Sequence, residues 1–153
     1  MPPDVTVPLR HLLDMDITFE AVPRFATPRG QRMLLAARCG RFEGPGLAGD
    51  VLPGSADWLS VGDDGIGRID VRAVLRTDRG DHIGLSVTGR AVLGEHTARF
   101  LAGERVTADE AYLRTHPLFE TASPAHAHLN GLATVAWCDI ALTGIRYRVY
   151  AVS

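Results

Sequence analysis

Turn residues recur along this chain at short, regular intervals, and that spacing constrains the fold more than any other feature. Pro28-Arg29-Gly30, Gly44-Pro45-Gly46, Pro53-Gly54, Gly62-Asp63-Asp64-Gly65, Asp78-Arg79-Gly80 and Gly144 punctuate the sequence. Between them lie short runs in which apolar and polar residues alternate with period two, the pattern of strands that bury one face. Strands are expected over 9–20, 31–42, 47–52, 56–61, 66–77, 81–93, 111–121, 129–141 and 145–152. One short helix is expected over Glu95–Ala102, stopped by Gly103. Such a set is best satisfied by an all-β fold. We expect a single antiparallel β-barrel of about 8–10 strands, lipocalin-like in general architecture, because closure removes exposed edges. The 153 residues make one domain, 1–153.

One hairpin can be registered directly. Asp78-Arg79-Gly80 suits a three-residue loop with Gly in the left-handed position. That loop pairs Leu75 with Ile83, Ala73 with Leu85 and Val71 with Val87, all on one apolar face. The opposite face carries Asp70, Arg72, Arg76, His82, Ser86 and Thr88, so a one-residue slip would mix the two sets.

Composition enters by what it excludes. All 16 basic residues are Arg and none is Lys, so imine chemistry and a Lys-bearing phosphate loop are ruled out. A net charge of −2 with interleaved signs argues against nucleic acid as partner. No run approaches the ~20 apolar residues of a membrane span. The opening MPPDVTVPLRHL has no signal-peptide pattern, and Cys39 and Cys138 are too few for a disulfide framework, so a cytoplasmic protein is expected. No GxGxxG opens a helix, no GxSxG elbow is present, and no cofactor is expected.

Polar residues on the apolar parity are the informative ones, because burying them costs energy unless they are paired or used. Asp57 shares its parity with Leu59 and Val61, and Tyr147 lies between Ile145 and Val149. Arg38 falls with Leu34, Ala36, Gly40 and Phe42, and Thr115 with Phe119. One reading makes Asp57 and Arg38 a structural ion pair and Tyr147 a core aromatic. The other makes a carboxylate, a guanidinium and a phenol the polar lining of a ligand site. His126 and His128 form the only histidine cluster, and on an extended segment they and Asn130 would share a face. Without a third ligand at metal-binding spacing, no metal is expected, and His128 is a candidate acid or base with Asn130 orienting the ligand.

Four ordered stretches carry a family resemblance: Gly40 to Trp58, Asp70 to Gly80, Tyr112 to Thr121, and Leu129-Asn130. Together they make the chain resemble the domain-of-unknown-function 3237 family of small bacterial and fungal proteins. The resemblance implies an antiparallel barrel, a homo-oligomer with a dimer favoured, and for some relatives a place in secondary-metabolite chemistry. The family pattern recurs at Arg72 and Arg114, although parity turns Arg72 outward. His126, His128 and Ala73 replace aromatic residues of the pattern, which implies a roomier and more polar pocket.

The expected function is a cofactor-independent isomerase or cyclase acting on a polyketide-like or aromatic intermediate. Asp57 or His128 would move a proton, and Arg38, Tyr147, Asn130, Arg114 and His126 would bind the substrate against Trp58. A non-catalytic small-molecule carrier and a structural oligomer are the alternatives.

Overall fold

Strand β6 (Gly67–Thr77) shows how the sequence pattern becomes structure, since its residues alternate buried and exposed without a break. Gly80, at φ 94°, closes the turn to β7 (His82–Val92), and the register places Leu75 opposite Ile83, Ala73 opposite Leu85 and Val71 opposite Val87. These are the pairs that the turn chemistry requires. The computed structural model describes residues 1–153.

The other strands are β1 (Leu9–Phe19), β2 (Arg24–Thr27), β3 (Gly30–Gly44), β4 (Leu47–Val51), β5 (Ala56–Val61), β8 (Tyr112–Glu120), β9 (Thr134–Ala141) and β10 (Gly144–Val152). Neighbours run antiparallel in the order β1-β10-β9-β8-β7-β6, then β4 and β5, then β3, which pairs back onto β1 and closes the barrel. Strands β4 and β5 both lie between β3 and β6, one above the other, so they form a single stave interrupted at Leu52–Ser55. Closure therefore takes 8 positions, and β2 is a short extra strand on β3. Sequence periodicity gave no sign of β2, which lies in the 24–27 stretch between a proline and a turn.

Three further differences have local causes. Strand β9 begins at Thr134, because Pro124–Gly131 folds as a 3-10 segment in place of the expected strand start. The expected helix is a 3-10 turn, Gly94–His96, followed by α1 (Thr97–Leu101). Strand β8 runs through Pro117 on its β7 side, but its pairing with β9 stops at Thr115–Ala136. A proline has no N–H to offer a second neighbour, and the Thr134 hydroxyl donates to the Pro117 carbonyl across that seam.

The barrel has a solid end and a hollow end. At the solid end, Leu13, Phe42, Leu75, Ile83, Leu129 and Val149 are all 0% exposed. Leu129 comes from the 3-10 segment, which plugs the barrel there. Each such side chain contributes roughly 1.5–3 kcal/mol on burial. Toward the other end several inward residues are smaller or less covered: Phe19 and Val71 keep 8% exposure, and Ala73 and Ala91 keep 9%. Strand β2 and helix α1 flank this open end. No helix is long and apolar enough to cross a membrane.

Candidate functional site

The β5 run Ala56-Asp57-Trp58-Leu59 alternates, and Leu59 is held inside. Asp57 is therefore drawn into the barrel as well, where it is 8% exposed. Backbone pairing between β5 and β6 lapses at Trp58 and Leu59 and resumes at Ser60–Arg68. In that gap the Asp70 backbone N–H donates to Asp57 Oδ1 at 3.0 Å, while Arg32 Nη1 donates to the Trp58 carbonyl at 3.2 Å from outside. Burial pushes the Asp57 carboxyl up to about 6, more than the Asp70 N–H pulls it down, and the Asp70 charge adds to the rise.

Tyr147 enters from β10 on the far side of the hollow, between the inward Ile145 and Val149. Burial holds its phenol well above the usual range, with the thiol of Cys138 and the Asp57 charge adding to the effect. Its hydroxyl takes part in no hydrogen bond with the protein and is not sealed from the hollow. Cys138 lies directly across from Tyr147 on β9 and contacts Thr115 Oγ1 at 3.6 Å. Burial pushes the Cys138 thiol up to about 12, so it is an inert thiol.

Asp57 and Tyr147 line one internal cavity of about 30 Å³, walled by Met15, Leu35, Val71 and Ile145 among others. That volume admits a water or a single substituent, since one water needs roughly 10–15 Å³ measured this way. One layer of side chains above, at the open end, lies a mouth of about 480 Å³. Met33 and Leu59 line the mouth and Leu35 and Asp57 the cavity below, two residues further along the same strands. Gly67 and Ala91 keep the mouth open, because a Cβ at Gly67 would sit 3.1 Å from the Ala91 Cβ. The two spaces share no lining residue: the mouth can seat an apolar body, and the cavity beneath offers a carboxyl and a phenol to one small group. A carboxyl titrating near 6 is suited to taking and returning a proton, and a free phenol to stabilising an oxyanion.

A family model described as a protein of unknown function, DUF3237, matches residues 7–152. The chain belongs to this family. A conserved protein of unknown function from Rhodopseudomonas palustris has the same fold, with TM-score 0.92 and 22% identity over 98% of this chain and all (100%) of that one. A UPF0311 protein from Clostridium acetobutylicum is 36% identical over 98 residues, which span 63% of this chain and 62% of that protein. The shared stretch is thus less than two thirds of that relative's length. An enzyme from Penicillium herquei matches with TM-score 0.68 at 17% identity, over 97% of this chain and 98% of that chain.

Within this DUF3237 barrel the residues expected at the site divide sharply. Asp57 and Tyr147 come together. Arg38 does not join them: it is exposed, and the inward set of β3 is Met33, Leu35 and Ala37. The register against β1 shifts beside it, with Thr18 opposite Cys39 and Phe19 opposite Ala37. Arg38 and Cys39 both turn outward at this bulge, so counting back from Phe42 reverses the parity. Trp58, neighbour of an inward Asp57, necessarily points out and is 50% exposed.

His126, His128 and Asn130 lie on the 3-10 segment at the solid end, not on a strand. His128 is exposed, and His126 borders a surface depression with Asp78 and Asp81. Asn130 fastens the segment, accepting from the Thr121 N–H at 2.8 Å and donating to the Thr121 carbonyl at 2.9 Å. Arg114 is on the outer wall. Its guanidinium stacks 5.2 Å from the Tyr112 ring and 5.1 Å from the Trp137 ring, and donates to the Ala108 carbonyl. Arg72 also faces outward, bordering an external depression with Leu118 and Glu120. Sequence reasoning missed the mouth, whose wall includes Arg24, Gln31 and Phe100. Phe100 lies on the short helix that the sequence does mark out.

Proposed function

We propose that this chain is a cofactor-independent small-molecule enzyme, an isomerase or cyclase that works by proton transfer inside the barrel. One observation carries the reading: an inward carboxyl titrating near 6 and an unbonded phenol share one cavity below an apolar mouth. The substrate class we assign is an aromatic or polyketide-like intermediate, whose enolisable carbonyl reaches the cavity while its rings fill the mouth. Asp57 removes a proton adjacent to the carbonyl and returns it at the new position. Tyr147 donates a hydrogen bond to the enolate oxygen. The match to an enzyme from Penicillium herquei supports the same architecture as a scaffold for catalysis, although fold alone assigns no reaction.

An enolisable bicyclic ketone, 2-tetralone, tests the reading by exchange of its α-protons in deuterium oxide, followed by proton NMR. The natural chain is expected to accelerate exchange, and Asp57→Asn to lose about 10²–10⁴-fold of that acceleration. Tyr147→Phe is expected to retain part of it, and His128→Ala all of it. Binding of the ketone with no acceleration would establish a carrier in place of an enzyme.

A further inference from the structure

We propose that the mouth selects an amphipathic monoanion, with a carboxylate paired to Arg24 and an apolar body directed down the barrel. The inference rests on the reading of the interior as a ligand site and adds the class of molecule that enters it. Arg24 is the one charged side chain among the residues that line the 480 Å³ mouth. The rest of that wall is mainly apolar, with Met33, Leu59, Leu93 and Phe100 prominent and Gln31 and Thr97 the polar exceptions. Volumes of this order are typical of small-molecule pockets.

The placement of Arg24 follows from the register. Strand β2 pairs only with β3, and Arg24 lies opposite Met33. Directly opposed residues share a face, and the Met33 face is the inward one. The short strand outside the ring thus carries a guanidinium to the edge of an apolar opening. Arg24 is also free of protein partners, as half of the 16 arginines are, and among those it is the one that lines the mouth. Arg41, Arg68, Arg99 and Arg146 each meet a carboxylate within 4 Å, whereas Arg24 takes part in no ion pair and no side-chain hydrogen bond.

Charge arithmetic narrows the ligand. One guanidinium balances one negative charge and matches the two oxygens of a carboxylate. A phosphate dianion would bring a second charge to an apolar rim with nothing opposite it. Orientation is fixed by Asp57, since a ligand entering head-first would set its carboxylate against another carboxylate. The neutral, reacting end therefore goes inward. From the Met33–Leu59 layer to the Leu35–Asp57 layer is two residues of strand, about 7 Å. The reacting carbon consequently lies at least about that far from the carboxylate.

A matched pair of fluorescent probes decides the matter: 2-naphthylacetate and 2-(2-naphthyl)ethanol, titrated against the natural chain, Arg24→Gln and Asp57→Asn. The natural chain is expected to bind the acid about tenfold more tightly than the alcohol, in line with a charge-assisted pair at a partly enclosed rim. Arg24→Gln is expected to lose that preference with its affinity for the alcohol unchanged, and Asp57→Asn to keep it. Equal binding of acid and alcohol by the natural chain, or a preference that survives in Arg24→Gln, overturns the assignment to Arg24 and leaves the ligand site standing. If neither probe binds any variant, the ligand site falls with it. Far-ultraviolet circular dichroism of Arg24→Gln checks that the exposed edge substitution has left the barrel intact.

Discussion

Asp57 sets stability and chemistry against one another. Its carboxyl ordinarily titrates at 3.8 and in the barrel at about 6. Between those values the unfolded chain has released a proton that the folded chain retains, so stability falls as pH rises through the window and stays lower above it. The difference corresponds to about 3 kcal/mol. Asp57→Asn keeps an oxygen for the Asp70 N–H and has no charge to desolvate. It is expected to be more stable than the natural chain by up to about 3 kcal/mol at pH 8, with the gain vanishing near pH 4. Urea denaturation at the two pH values measures this, and an equal pH dependence in both proteins would contradict it. Catalysis runs the other way: kcat/KM for a base-dependent step is expected to rise with pH through about 6 in the natural chain. Inward placement of Asp57 and Tyr147 was legible because each has apolar residues two positions away on its own strand. Arg38 was misread because a bulge leaves no mark in an alternating pattern. The free hydroxyl of Tyr147 and the raised Asp57 titration depend on neighbours from distant strands, which no local pattern reports.

At the scale of elements, turn chemistry and alternation were enough to place eight of the nine expected strands close to their limits and to register the β6–β7 hairpin. The ninth, expected over 129–141, begins late because Pro124 and the Asn130–Thr121 bonds favour a compact segment over an extended one. That segment is structural: Leu129→Ala is expected to cost about 2–5 kcal/mol by leaving a cavity at the solid end. On the outer wall, Arg68, Arg90 and Arg114 stand directly opposite one another across three strands. Like charges so placed repel, and only Arg68, paired with Asp64 at 2.8 Å, has a carboxylate. Arg90→Glu is therefore expected to stabilise the barrel by about 0.5–1 kcal/mol at low salt, with the gain reduced at high salt. Thermal unfolding at two salt concentrations checks it, and a loss of stability would contradict the cross-strand account.

For the whole molecule, the division into a solid end and a hollow end assigns folding to one half and chemistry to the other. The solid half holds Leu13, Phe42, Leu75, Ile83, Val149 and the Leu129 plug, and the hollow half holds Asp57, Tyr147 and the mouth. His128→Ala, at the solid end and exposed, is expected to leave both binding and turnover unchanged. The central claim is that a carboxyl buried in an apolar hollow is poised near neutrality, and the most direct test is a carbon-13 NMR titration of the Asp57 side chain, assigned by comparison with Asp57→Asn. The account predicts an inflection near pH 6 that moves when 2-naphthylacetate fills the mouth. An inflection near pH 4, unmoved by the ligand, would contradict it.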